Sequence, residues 1–184
     1  MSVDLFQNRV RRADNVLPLE LLHHIVKVSS ATPGYDTNLN SWDEWLHRGS
    51  GEIRLRSLFG DLRLYILEHL QAAFCEHTLD LTDATVIYQE FYEGALINWH
   101  DDCRPDVTDQ YASTIYLNDD WTTEDGGAFV FEADANTEQY VTPSFNTAVL
   151  LRPPVQHRVS PCTAGEKVRK TIQIFGGTPI GGSK

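Results

Sequence analysis

Two stretches in the first half of the chain place apolar residues three and four positions apart, the spacing that lines one face of a helix. They are Leu17–Ser29 (LPLELLHHIVKVS) and Ser57–His77 (SLFGDLRLYILEHLQAAFCEH), and in the second Leu58, Leu62, Tyr65, Ile66, Leu70 and Phe74 form one stripe. Two helices are predicted there. The segment between them, TPGYDTNLNSWDEWLHRGSGE, is bracketed by Pro-Gly and Gly-Ser-Gly and carries Trp42 and Trp45. It reads as a loop with one helical turn.

From Thr85 onward the pattern shortens to β-rich runs separated by Gly, Pro, Asp and Asn: TVIYQEFY, ASTIYLN, GGAFVFE, FNTAVLL and VRKTIQIF. Many short strands at such spacing predict a sandwich, barrel or jelly roll, with the two helices covering the outer face of one sheet. In the last run Lys167, Arg169, Thr171, Gln173 and Phe175 share one face, while Val168, Ile172 and Ile174 mark the other and Lys170 breaks the pattern. A polar face opposite an apolar one suits a barrel that holds a charged ligand inside. The expected organisation is a single domain over residues 1–184, with a helical N-terminal support region (1–83) and a β core (84–176).

Composition narrows the partners. A formal charge of −11, from 15 Lys+Arg against 26 Asp+Glu, argues against nucleic acid. No stretch is apolar enough to span a membrane, and the first residues lack the apolar core of a secretion signal. Cys75, Cys103 and Cys162 show no CxxC spacing and cannot all pair, which points to a reducing cytoplasm.

The chemistry concentrates in INWHDDCRP and PPVQHRVSP. His100 and Asp102 stand two residues apart, so on an extended strand or its edge they project to one side. His157 supplies a third ligand from a separate β-like segment. Two imidazoles and one carboxylate on one face leave positions open for substrate and oxygen, as Fe(II) oxygenases require. Alone, the same residues also read as a solvated acidic turn and a surface histidine. The set can equally hold a catalytic zinc.

The ordered strings YEG before WHDD, then STIYLNDDW, EDGGAFVF and HRVSPCTAGEKVRKT resemble the prolyl-4-hydroxylase-like branch of the 2-oxoglutarate/Fe(II) dioxygenases over about Val86 to Phe175. The resemblance implies a double-stranded β-helix (jelly roll, cupin-like) core, and it makes His100, Asp102 and His157 the iron ligands. Tyr116 is implied to bond the far carboxylate of 2-oxoglutarate. Tyr92 is implied as a second pocket tyrosine, or is an ordinary strand aromatic. Two cations match the family's anchor for that carboxylate, Lys167 by its distance from His157 and Arg169 by the Arg-Lys-Thr string that ends in Thr171. Arg169 is favoured, because a guanidinium can pair both carboxylate oxygens.

The implied reaction couples oxidative decarboxylation of 2-oxoglutarate, to succinate and carbon dioxide, with hydroxylation of a C–H bond by dioxygen; ascorbate is a candidate stimulant. The substrate implied is a prolyl or amino-acid-like group in a peptide or small molecule. Desaturation or cyclisation of a natural-product intermediate stands as an alternative outcome. A non-catalytic jelly roll that senses a metal or metabolite stands as another. Oligomeric state is left open. Gly126 and Gly127 read as a tight turn, and Trp99 and Trp121 as packing residues.

Overall fold

The structure, a computed structural model, describes residues 2–31, 49–75, 79–134 and 137–179. It opens with two strands that the periodicity does not announce, β1 (Ser2–Phe6) and β2 (Val10–Asp14), joined as an antiparallel hairpin. Helix α1 (Leu19–Ala31), the short β3 (Gly49–Ser50), β4 (Ile53–Ser57) and helix α2 (Gly60–Phe74) complete the N-terminal part. That region is thus not purely helical. The loop with a helical turn expected around Trp42 and Trp45 lies outside the described residues.

The predicted β runs follow as β5 (Thr85–Phe91), β6 (Leu96–His100), β7 (Val107–Tyr116), β8 (Phe129–Asp134), β9 (Thr137–Val141), β10 (Thr147–Leu151), β11 (His157–Val159) and β12 (Arg169–Pro179). They form two antiparallel sheets, one ordered β1-β2-β10-β7-β12-β5-β4 and the other β3-β6-β11-β8-β9. This is the expected mainly β architecture, a jelly roll with helices on one sheet.

Strand alternation then divides the core in two. On the outer face of the larger sheet Val86, Tyr88, Ile115, Leu150, Ile172 and Ile174 pack with α1 and α2. From α2 the buried residues are Ile66, Leu67, Leu70 and Phe74, whereas Tyr65 of the predicted stripe is 57% exposed. Leu67, three positions before Leu70, is buried in its stead. Asn146 clamps the entry to α1, accepting from Leu17 N at 2.8 Å and donating to Leu17 O at 2.7 Å. Between the sheets lies a second cluster, with Val10, Ala112, Tyr116, Val149 and Leu151 from one side and Phe129, Phe131 and Val141 from the other. No helix among the described residues is long and apolar enough to cross a membrane.

Candidate functional site

Beside that inner cluster, His157 pairs across the smaller sheet with His100 on β6 and Phe131 on β8. The next matched pair is Val159 with Ile97, so β6 places two residues, Asn98 and Trp99, opposite the single Arg158. Such a bulge turns the strand by one residue. It is why Ile97 and His100, three apart, both line the same cavity. Each histidine is then fixed by its Nδ1: His100 against Asn98 O at 2.7 Å, His157 against Val155 O at 2.9 Å. With Nδ1 donating to a carbonyl, Nε2 of each ring keeps its lone pair for a metal.

Asp102 sits just past β6 and closes the group. Its Oδ1 is 3.5 Å from His100 Nε2 and its Oδ2 is 3.4 Å from His157 Nε2. These separations are long for hydrogen bonds but suit donors that share an ion. One ligand atom from each residue lies within 4.8 Å of the others, and both histidines are buried. The neighbouring Asp101 braces the surrounding loops instead, its Oδ1 accepting from Cys103 N at 3.0 Å and its Oδ2 from Gln156 Nε2 at 3.1 Å. Of the acidic pair, only Asp102 faces the histidines.

The larger sheet supplies the opposite wall of a cavity, partly open to solvent, through Gln89, Phe91, Thr114, Arg169 and Gln173. Arg169 is 2% exposed and has no carboxylate partner among the described residues. Its guanidinium lies 4.8 Å from the Phe91 ring and 5.3 Å from the Tyr116 ring, and its Nε makes no hydrogen bond among the described residues. A buried cation left so costs several kcal/mol, roughly, and such a group calls for an anion. Gly127 makes the room: a Cβ there would stand 2.6 Å from Arg169 Cδ. The Tyr116 hydroxyl is buried and, within hydrogen-bond distance, meets no partner among the described residues; Arg169 is its charged neighbour. Burial pushes its phenol up, against the pull of Arg169, so it stays an O–H donor.

The structure therefore gathers His100, Asp102, His157 and Arg169 about one cavity, with the Tyr116 ring beside Arg169, and it puts the other predicted site residues elsewhere. Lys167 lies ahead of β12, where its Nζ bonds Asp120 O at 2.8 Å and Asp125 Oδ2 at 3.0 Å. Tyr92 lies past the end of β5; its hydroxyl donates to Glu90 Oε2 at 3.0 Å and its ring stacks under Arg54. Phe91 holds the inward position instead, because the strand's alternation fixes which of the two neighbours faces the cavity. Thr171 is fully buried and its hydroxyl donates to Gln89 Oε1 at 3.4 Å. Trp121 packs, as expected, and donates from Nε1 to Gly126 O at 3.0 Å, whereas Trp99 is exposed with Arg158 over its ring.

Gln89, Thr114 and Gln173 join the site without any motif that singles them out in the sequence. The signal is nonetheless present, since each sits at the inward parity of its run. The donor set fits what the resemblance implies: two imidazoles and a carboxylate for a divalent ion, and a buried guanidinium with a phenol for an anionic cosubstrate.

Comparison with known proteins agrees. Among solved structures, a Pseudomonas putida prolyl-4-hydroxylase superposes with a TM-score of 0.67 at 15% identity, covering 94% of each chain. A Trichoplax adhaerens prolyl hydroxylase, in complex with a hypoxia inducible factor oxygen degradation domain peptide fragment, gives 0.64 at 17% identity over 93% of this chain and 84% of its own. A viral collagen prolyl hydroxylase from Paramecium Bursaria Chlorella virus-1, in a 2OG complex, gives 0.61 at 13% identity over 91% and 96%. At such identities these likenesses establish the fold. No curated protein matches the sequence. Residues 86–176, the span that holds the triad, Tyr116 and Arg169, match the model of the 2OG-Fe(II) oxygenase superfamily, and the chain belongs to that family of oxidoreductases.

Proposed function

We propose that this protein is an Fe(II)- and 2-oxoglutarate-dependent hydroxylase acting on a prolyl or amino-acid-like group in a peptide or small molecule, with succinate and carbon dioxide as coproducts. The observation that carries the reading is the buried guanidinium of Arg169, without a carboxylate partner among the described residues, in one cavity with His100, Asp102 and His157. A dicarboxylate that reaches from cation to metal satisfies both ends.

In this reading His100, Asp102 and His157 hold Fe(II) on one face. Arg169 pairs with the far carboxylate of 2-oxoglutarate, and the Tyr116 O–H donates to it. The iron and cosubstrate together supply the oxidising power drawn from dioxygen. The chain's own part is to orient and to exclude water. Phe91, Ile97, Phe129, Val149 and Leu151 line the cavity with apolar surface, which strengthens the Arg169 charge toward its anion. Keeping Asp102 as a carboxylate ligand, rather than a small residue, favours hydroxylation over halogenation. The prolyl assignment draws on the three structural relatives, each a prolyl hydroxylase by name. Ascorbate serves to keep the iron reduced, and the free Cys75, Cys103 and Cys162 fit a cytoplasmic setting.

The test is succinate formation by purified protein with Fe(II), ascorbate and 2-oxoglutarate, alone and with a panel of N-acyl prolyl peptides and free amino acids. Turnover above the background of a His100→Ala variant supports the reading. Absence of both uncoupled turnover and cosubstrate binding sinks it. Stimulation by free amino acids but not peptides would move the substrate class to small molecules.

A further inference from the structure

On β5, Gln89 is a polar residue at an inward position, next to Phe91 along the strand's inner face. It is 3% exposed and lines the cavity. Its Oε1 accepts from the Thr171 hydroxyl, its direct cross-strand neighbour on β12. That leaves Nε2 with two N–H groups and no acceptor among the described residues. A buried primary amide oriented in this way points its donors at whatever fills the cavity.

The ladder says what that is. Arg169 and Thr171 are successive inward residues of β12, and they pair with Phe91 and Gln89 of β5. Gln89 therefore lies one two-residue step, about 6.6–6.8 Å, along the sheet from the Arg169 level. A five-carbon dicarboxylate anchored at Arg169 spans about one such step. Gln89 lines the same cavity as His100, Asp102 and His157, so its amide lies beside whatever bridges Arg169 and that triad. A neutral donor is apt at that place: a lysine would repel the metal, and a carboxylate would compete with Asp102 for it.

We infer that Gln89 binds the cosubstrate directly, donating an amide N–H to the near carboxylate of 2-oxoglutarate, and that Thr171 is a positioning residue that turns the amide oxygen away. This rests on the cosubstrate reading above. It replaces a direct contact from Thr171 with one relayed through Gln89.

The experiment uses the full chain loaded with Mn(II), which holds the site without turnover, titrated calorimetrically with 2-oxoglutarate. Gln89→Leu weakens binding about tenfold, the effect of losing one hydrogen bond to a charged group, with Mn(II) affinity within about twofold of wild type. Gln89→Glu weakens it further, since carboxylate then faces carboxylate. Thr171→Val falls between wild type and Gln89→Leu, and Thr171→Ser restores wild-type binding. Circular dichroism checks each fold, and if Gln89→Leu does not fold, Gln89→Asn, which withdraws the amide by one methylene, carries the test with the same expected loss. Binding by the Gln89 variants within about twofold of wild type, while Arg169→Leu loses it, overturns the inference and leaves the cosubstrate reading standing. Failure of the wild-type protein to bind 2-oxoglutarate overturns both.

Discussion

Both faces of β12 carry deeply buried residues, and they are finished in different ways. Ile172 and Ile174 on the outer face are wholly buried and meet apolar neighbours from β5, β7 and the two helices. Arg169 and Thr171 on the inner face are as deeply buried, yet they stand among Gln89, Tyr116 and Arg169's own unmatched charge. Burial alone does not separate core from site. What separates them is whether the protein itself satisfies what it buries: the outer face is apolar throughout, and the inner face keeps a buried guanidinium with no carboxylate partner among the described residues.

That contrast breaks most visibly at the metal triad. His157→Ala or Asp102→Ala should lower Fe(II) affinity by more than about 100-fold, since removing mere supporting groups around a ligand already costs up to that much. Succinate formation should fall to background. The unfolding midpoint of the metal-free protein should hold or rise. A variant that binds Fe(II) normally would remove the inner face's claim to be a metal site.

On the outer face the effect should reverse. Ile172→Ala leaves a cavity under the helices and should cost about 2–5 kcal/mol of stability, read from denaturant unfolding. Affinity of the folded variant for 2-oxoglutarate should change by less than about twofold. Arg169→Leu should do the opposite again. Loss of a buried charge pair should weaken 2-oxoglutarate about 100-fold, near 2.7 kcal/mol, while apo stability holds or rises because an uncompensated charge leaves the interior. A large stability loss without a binding loss would mean that Arg169 belongs to the core.

Much of this division is legible in the sequence, and the gaps have physical causes. The alternation in VRKTIQIF assigns Arg169, Thr171 and Gln173 to one face and Ile172 and Ile174 to the other, as found. The helices at Leu19–Ala31 and Gly60–Phe74 follow from their apolar spacing. The strand Val10–Asp14 does not show, because Val-Arg-Arg-Ala-Asp alternates too little, and only pairing with β10 makes it a strand. The bulge at Asn98 and Trp99 is also invisible, since a bulge is fixed by the partner strand and not by its own residues. Tyr92 as a pocket tyrosine is one position out of phase for a similar reason: pairing of Gln89 and Phe91 with Thr171 and Arg169 on β12 sets which residues of β5 face inward. Gln89 lies at an inward parity, but one glutamine in a strand carries no motif.

Lys167 marks the smallest effect and the sharpest limit of reading faces by parity. It shares the parity of Arg169, but β12 begins only at Arg169, and alternation has no hold on a residue in the turn before a strand. Its ammonium is held by Asp120 O and the Asp125 carboxylate. That carboxyl lies below its ordinary range, chiefly through the Thr122 backbone N–H and then through Lys167. Lys167→Met should therefore change 2-oxoglutarate affinity by less than about twofold, as for a partly exposed pair outside the cavity. Its signature should be in acid instead. A depressed carboxylate stabilises the fold above its unfolded pKa, and that stability is lost as pH falls through the lower folded pKa. Without Lys167 the depression lessens, so the variant's melting temperature should fall slightly at pH 7 and converge with wild type in acid. Thr122 keeps some of the depression in either protein, so the convergence, and not a loss of all pH dependence, is the outcome to look for. A Lys167→Met variant that loses cosubstrate as Arg169→Leu does would return the anchor to Lys167, and the inner face would then extend beyond the strand that defines it.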